Sequence, residues 1–465
     1  MMNFFVARAN LLASGWRRAA AALASIVLIQ ASGTSPASAM NIQTIKSPGG
    51  IEAWLVEEHS VPLMALRFTF EGGSSQDMPG KEGTANFITG MMDEGAGDIK
   101  SSDFQESMEE IAMRMSWSDS KDSLYGSLET LTQNRDKAVA LLKLAVTKPR
   151  FDPDAVDRIR GQLMANLMYA EKDPDKVAGK AWFATAFQGH PYGRSSDGTP
   201  KTIAAMTPED LHAYHKRLFA KDNLKIVAVG DINAAELGKL LDEVFGELPD
   251  KAQLNPVPQT GVVNGGSQTI IDMNVPQSVA VFGLPAMARK DPDFMAAFVI
   301  NHILGGGGFS AKLMEEVREK RGLAYSVYSY LQPFEHSSVM TGSVATKNDG
   351  MAESLDIIRT ELRRMAENGP DPKDFDAAKS YLIGSYPLRF DTNAKIASQL
   401  LGLMEEGFGP DYVDNRNKLV EAVTIEDAKR VARRLLETDK LIVTIVGKPA
   451  NVKAIGAVAL TPPPG

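Results

Sequence analysis

The 465-residue chain contains no cysteine. That excludes disulfide staples, thiol nucleophiles and thiolate metal sites within the chain, so its stability rests on packing. Histidine is scarce, at six residues. No long low-complexity tract or block of like charge occurs, which argues against extensive disorder. Positive charge is in deficit: 50 Lys and Arg stand against 58 Asp and Glu, a net of −8. Such a surface repels nucleic acid and anionic lipid, so neither is an expected partner. No apolar run reaches the roughly 20 residues needed to span a bilayer, so no transmembrane segment is expected.

What is present is ordinary for a globular protein, with 44% hydrophobic and 23% charged residues. The length is too great for one core and suits two domains. The first 39 residues stand apart: Arg8, Arg17 and Arg18 precede a short apolar run from Ala19 to Gln30, then small residues ending in Ala37-Ser38-Ala39. This pattern predicts a secretory signal peptide over 1–39, cleaved between Ala39 and Met40, and a periplasmic location. Without Arg8, Arg17 and Arg18 the balance becomes 47 basic to 58 acidic residues, or −11.

The remainder is written twice. Thr207-Pro208-Glu209-Asp210 leads through Leu218, Asp222 and Leu224 to Val229-Gly230. At a constant offset of 217, Thr424-Ile425-Glu426-Asp427 leads through Leu435, Asp439 and Leu441 to Val446-Gly447. Both copies predict a threonine-capped helix with acids in its first turn, a turn, and a buried strand. Upstream, helices are predicted from Pro153 and from Pro372, each preceded by another helix (Arg135–Val146 and Ala352–Glu367). Before those lie two strand-like segments that we pair, Asp122–Leu128 with Ala324–Leu331. Leu248–Gly266 is rich in Pro, Gly and Asn and reads as a linker. The expectation is an α+β fold of two homologous domains, each an antiparallel sheet packed against helices. They span 42–250 and 267–455, joined by a linker at 251–266 and followed by a disordered tail at 456–465.

The motifs Val61-Pro62-Leu63, Phe70-Glu71-Gly72-Gly73-Ser74, Gly189-His190-Pro191-Tyr192-Gly193 and Arg318-Glu319-Lys320-Arg321-Gly322-Leu323-Ala324-Tyr325 resemble the insulinase/pitrilysin/mitochondrial-processing-peptidase family. The resemblance runs from Ile45 to Val452. It implies a processing-peptidase-like metallohydrolase fold, in which active members carry an inverted His-x-x-Glu-His zinc motif with a glutamate general base. Here the first histidine position is Asn86, the base Thr89, the second histidine Gly90, and the third ligand, a glutamate in active members, Asn166. Amides, a hydroxyl and a glycine are poor zinc ligands, so no metal is expected in this chain. The family's substrate-gripping arginine and tyrosine are retained as Arg318 and Tyr325.

Together these features imply a zinc-less, substrate-binding subunit. Its expected partners are a peptide substrate and a homologous His-x-x-Glu-His subunit that carries the zinc in a heterodimer. The alternative is a non-proteolytic structural or peptide-binding relative. Arg318 is expected in the last turn of a helix opened near Ser310 and closed by Gly322, with Tyr325 at the start of the following strand. Tyr328 and Tyr330 are expected on the opposite face from Tyr325, as packing residues. Gly305–Gly308 lacks a phosphate-loop ending and reads as a mobile loop before that helix. His212 and His215, three apart on a helix, read as polar-face residues and His190 as structural. His59, His302 and His336 are isolated.

Overall fold

The computed structural model describes residues 40–456. The expected signal peptide, 1–39, and the expected tail beyond Gly456 lie outside the described residues. In the first half the strands of the main sheet are β1 (Gln43–Lys46), β2 (Glu52–Glu57), β3 (Leu63–Glu71), β4 (Arg114–Asp119), β5 (Ser123–Leu131) and β6 (Leu224–Gly230). In the second they are β7 (Gln268–Asp272), β8 (Gln277–Pro285), β9 (Ala324–Pro333), β10 (Ser338–Lys347) and β11 (Ile442–Gly447). They form a six-stranded sheet, β1-β2-β6-β3-β5-β4, and a five-stranded sheet, β9-β10-β8-β11-β7. Leaving out β1 and reading one sheet from its other end, the two orders coincide. Each sheet is antiparallel except for one parallel pair, β2 with β6 and β7 with β11.

Both halves repeat one cross-strand device. Phe68 of β3 lies opposite Gly126 of β5, and Phe282 of β8 lies opposite Gly342 of β10. A Cβ at Gly126 would stand 2.2 Å from Phe68 Cζ, and one at Gly342 2.4 Å from Phe282 Cζ. The absent side chain lets each ring lie across the neighbouring strand. This pairing corrects the expected match of Asp122–Leu128 with Ala324–Leu331. β5 corresponds to β10, and β9 corresponds to the edge strand β4. Alternation marks both strands of a hairpin alike, so it cannot say which is which.

The first-half helices are α1 (Thr84–Thr89), α2 (Ser101–Glu110), α3 (Arg135–Thr147), α4 (Pro153–Ala170), α5 (Pro174–Ala186), α6 (Pro200–Ala204), α7 (Pro208–Leu218) and α8 (Ala234–Phe245). The second half contributes α9 (Phe294–Asn301), α10 (Met351–Asn368), α11 (Pro372–Gly384), α12 (Asn393–Glu405), α13 (Tyr412–Glu421) and α14 (Ile425–Leu435). The repeated caps form as the sequence requires. Thr207 Oγ1 accepts from the Asp210 N–H at 3.3 Å and Thr424 Oγ1 from the Asp427 N–H at 3.1 Å, with both aspartates reaching back.

Each sheet is a middle layer. Met64, Leu66, Phe68 and Phe70 of β3 pack with Leu211 of α7 and Leu237 and Leu241 of α8. Ala280, Phe282 and Leu284 of β8 pack with Ile358 of α10 and Val431 of α14. The opposite faces are covered by exchanged helices: α5 of the first half lies on β8 and β11, and α12 of the second lies on β3 and β6. Trp182 of α5 is fully buried, donates its indole N–H to the Ile442 carbonyl at 3.2 Å, and fills space left by Gly283. The linker residues are bonded along their course, Gln253 N–H to Arg217 O at 2.8 Å, Thr260 N–H to His336 O at 2.9 Å, and Val263 N–H to Ala186 O at 2.9 Å. The described residues from Ile42 to Gly456 form one compact unit. No helix among the described residues is long and apolar enough to cross a membrane.

Candidate functional site

The residues singled out by sequence fall into two places, one in each half. In the first, α1 carries Asn86 and Thr89, and Gly90 caps its C-terminal end. The helix starts after Gly83, whose φ of 92° suits glycine alone, and the Asp77 carboxylate accepts from the Gly83 N–H at 2.8 Å and the Ala85 N–H at 3.0 Å. Thr89 turns its hydroxyl back onto the Asn86 carbonyl at 2.7 Å. Asn86 Nδ2 faces Asp119 Oδ1 at 3.5 Å, at the end of β4. Gly90 abuts α4, where a Cβ would stand 3.2 Å from Ile159 Cγ2. Asn166 is exposed two turns further along α4 and shares no hydrogen bond with the other three among the described residues. The structure therefore sets Asn86, Thr89 and Gly90 on one short stretch at α1, and Asn166 on α4, the helix that Gly90 abuts.

Around α1 lie charged groups that the sequence reading missed. Burial pushes the Asp77 carboxyl up to about 7 and the Asp119 carboxyl up to about 6. Burial lowers Lys121 to about 8, and its ammonium donates to the Arg194 carbonyl at 2.7 Å. Arg194 in turn donates to the Asp77 carbonyl at 2.9 Å. These residues are scattered along the chain, and no local pattern announces that folding collects them. The four positions aligned with the zinc motif offer amides, a hydroxyl and no side chain at all, which do not fit zinc. Among the described residues no group of three or more His, Asp or Glu is arranged to hold a metal ion. His215 is not a polar-face residue as expected. Its Nε2 meets the Val146 carbonyl at 2.8 Å, its ring packs 4.2 Å from Phe219, and burial lowers its pKa to about 4. His190 is structural, with Nδ1 accepting from the Tyr192 N–H at 3.1 Å and Nε2 at 2.9 Å from the Pro258 carbonyl.

In the second half, Arg318 lies in a π-helical turn, Met314–Glu319. Gly322, at φ 63°, closes it: the Gly322 N–H bonds to Arg318 O at 2.8 Å and the Leu323 N–H to Val317 O at 3.0 Å. Tyr325 follows at the start of β9. The Arg318 guanidinium sits 4.7 Å from the ring centre of Tyr325 and 4.7 Å from that of Phe309. Both rings are open to solvent, Tyr325 at 81% and Phe309 at 66%. Stacking between two aromatic faces holds the guanidinium in place while leaving its edge donors available. Two of the three acids on the same turn are engaged, Glu315 by Lys312 and Lys320 and Glu316 by Lys320 and Arg321, and Glu319 makes no ion pair among the described residues. Among the described residues Arg318 has no carboxylate partner.

Two expectations here are corrected. A bulge between Ala324 and Val327 shifts the register of β9 against β10. Ala324 and Val327 therefore both face the core, and Tyr328 and Tyr330 emerge on the exposed side with Tyr325, 44% and 42% open. Simple alternation had put them on the other face. Gly305–Gly308 is not a free loop. It continues from a π-helical turn, His302–Gly306, packed on β9, where a Cβ at Gly305 would stand 2.4 Å from Ser329 Oγ. Phe309 went unnoticed in the sequence because a lone aromatic after glycines carries no period.

The geometry matches known proteins. Residues 54–199 match the family described as insulinase (peptidase family M16), and residues 205–382 match its companion, the peptidase M16 inactive domain. Side by side these matches take in most of the chain, and the chain belongs to the M16 family, as a member whose zinc-ligand positions are replaced. A crystal structure of a peptidase M16 inactive domain from Pseudomonas fluorescens is similar with a TM-score of 0.83 and 29% identity, covering 89% of this chain and 99% of that one. A Helicobacter pylori protein named non-peptidase homolog YmxG is 27% identical over 72% of this chain and 78% of its own length. A Mycobacterium leprae protein named as an uncharacterized zinc protease is 26% identical over 84% of this chain and 88% of its own.

Proposed function

We propose that this chain is the non-catalytic, substrate-binding half of an exported two-chain zinc peptidase of the M16 family. The observation that carries the reading is the asymmetry between its two sites. The metal positions on α1 are replaced by groups that satisfy one another. Arg318 is held ready between Phe309 and Tyr325 with no acid to neutralise it. Its fork of donors suits a peptide carbonyl or carboxylate, and the Tyr325 hydroxyl suits an oxyanion. Zinc and the general base then belong to a homologous His-x-x-Glu-His partner, with the two chains closing as a heterodimer around the peptide.

The test is peptide hydrolysis by the chain alone, by a zinc-motif relative from the same cell alone, and by the two together. Activity is expected only in the mixture. Arg318→Ala and Tyr325→Phe should each lower it by about 10² to 10³, the usual loss for one oxyanion donor, without lowering thermal stability. Full activity in the relative without this chain would instead favour a non-proteolytic role, the reading that the name non-peptidase homolog of the Helicobacter pylori relative supports.

A further inference from the structure

A groove of about 1000 Å³ lies wholly within the second half, between the edge strand β9 and helices α11 to α13. It stands apart from the Arg318 clamp, although Gly308, the neighbour of Phe309, forms part of its wall. Its lining carries three arginines, Arg289, Arg389 and Arg416, and one acid, Glu406. That acid is spoken for, because Arg289 Nε meets Glu406 at 2.8 Å. Arg416 is only 5% exposed, donates to the Leu382 carbonyl at 2.6 Å and stacks 4.6 Å from the Tyr386 ring. Among the described residues no carboxylate lies within ion-pair distance of Arg416 or Arg389.

A buried guanidinium without a counter-ion is costly, and a chain of net charge −8 has no shortage of acids to place there. The local excess of two positive charges is thus a standing invitation to an anion. The remaining wall is aromatic: Tyr328 and Tyr330 stack at 6.0 Å, and Tyr381, 62% exposed, stacks on His302 at 5.2 Å. Leu388 is 74% exposed beside them. The groove meets β9 at Tyr328–Leu331, where Asn301 Nδ2 covers the Ser329 carbonyl at 3.2 Å and leaves the tyrosine rings as the exposed surface. A site walled by aromatic rings with an uncompensated arginine pair matches a peptide segment that carries one carboxylate.

We propose that this groove captures the C-terminal end of a peptide, its terminal carboxylate on Arg389 and Arg416 and its side chains against Tyr328, Tyr330 and Tyr381. The site needs no zinc and no second subunit, so it stands or falls separately from the heterodimer reading.

The experiment is fluorescence anisotropy on the intact chain alone, with a fluorescein-labelled apolar pentapeptide bearing a free C-terminus and with its C-terminal amide. The acid is expected to bind about 10- to 100-fold more tightly than the amide, as for a hydrogen bond to a charged group. Arg389→Ala should weaken the acid about tenfold and leave the amide unchanged. Ser398→Trp, at an exposed lining position, should abolish binding of both by filling the groove, with unaltered circular dichroism. These two variants carry the test because Arg416→Met, at a buried position, risks misfolding. Equal affinity for acid and amide, no binding of either, or an acid affinity unmoved by Arg389→Ala and Ser398→Trp overturns the proposal. Competition by 3-phenylpropionate as strong as by unlabelled peptide overturns the peptide assignment in favour of a small carboxylate.

Discussion

The two halves share a topology and differ in what they have done with their polar groups. In the first half, Asn86, Thr89 and Asp77 bond to neighbouring protein groups around α1. In the second half, Arg318 is held by aromatic faces and kept clear of acids that sit on the same turn. Polar residues released from a functional duty settle into internal partnerships. Those left unpartnered at the surface mark where a ligand is still expected. The same contrast holds between the engaged Glu406 and the uncompensated Arg416.

The comparison can be broken most forcefully at the exchanged helices. Trp182 and Leu401 are each the ninth residue of a 13-residue helix, α5 and α12, and each is buried against the other half's sheet. Trp182→Ala should cost about 3–5 kcal/mol and Leu401→Ala about 2–5 kcal/mol, both read as a shift of a single denaturation midpoint. A variant that unfolds in two separate steps would show the halves to be independent. A smaller effect concerns pH. The Asp119 carboxyl keeps its proton to about pH 6 when folded, against an ordinary value of 3.8. The folded state therefore binds more protons across that window, and stability falls as pH rises through it. Asp119→Asn should remove about 2 kcal/mol of this decline, measured by denaturation at pH 4.5 and pH 7.5. Identical pH profiles would mean that the carboxyl is better solvated than its setting indicates. The smallest expected differences lie in the matched caps: Thr207→Ala and Thr424→Ala should each cost about 1 kcal/mol. Unequal losses would show that one half leans on its cap more than the other.

Much of this was legible in the chain because the repeat is written in residues with local jobs. A capping threonine, an acid three residues on and a glycine after a buried strand act within a few residues of themselves, so Thr207 and Thr424 announced the same unit. Gly322 ended the Arg318 turn for the same reason. What stayed hidden depends on partners far away. The bulge that brings Tyr328 and Tyr330 to the side of Tyr325 is a property of β9 against β10. The match of β5 with β10 became visible only through the Phe68–Gly126 and Phe282–Gly342 pairs. Asp77, Asp119, Lys121 and Arg194 meet only when three separate segments converge, and the Arg416 groove is assembled from α11, α13 and the edge strand. The replaced positions Asn86, Thr89 and Gly90 were read from a motif, and Asn166 was placed by counting along the chain to α4, the helix against which Gly90 lies.

The exchange of α5 and α12 also bears on how the chain is made. Translation delivers α5, with Trp182, before β8 and β11 exist to receive it, and the inner face of the first sheet waits bare until α12 is synthesised. For that interval two apolar surfaces are open to the wrong neighbours, and pairing of first halves between nascent chains is the nearest error. A chain truncated at the linker is frozen in that state. It should be a substrate for chaperones and proteases rather than a usable domain.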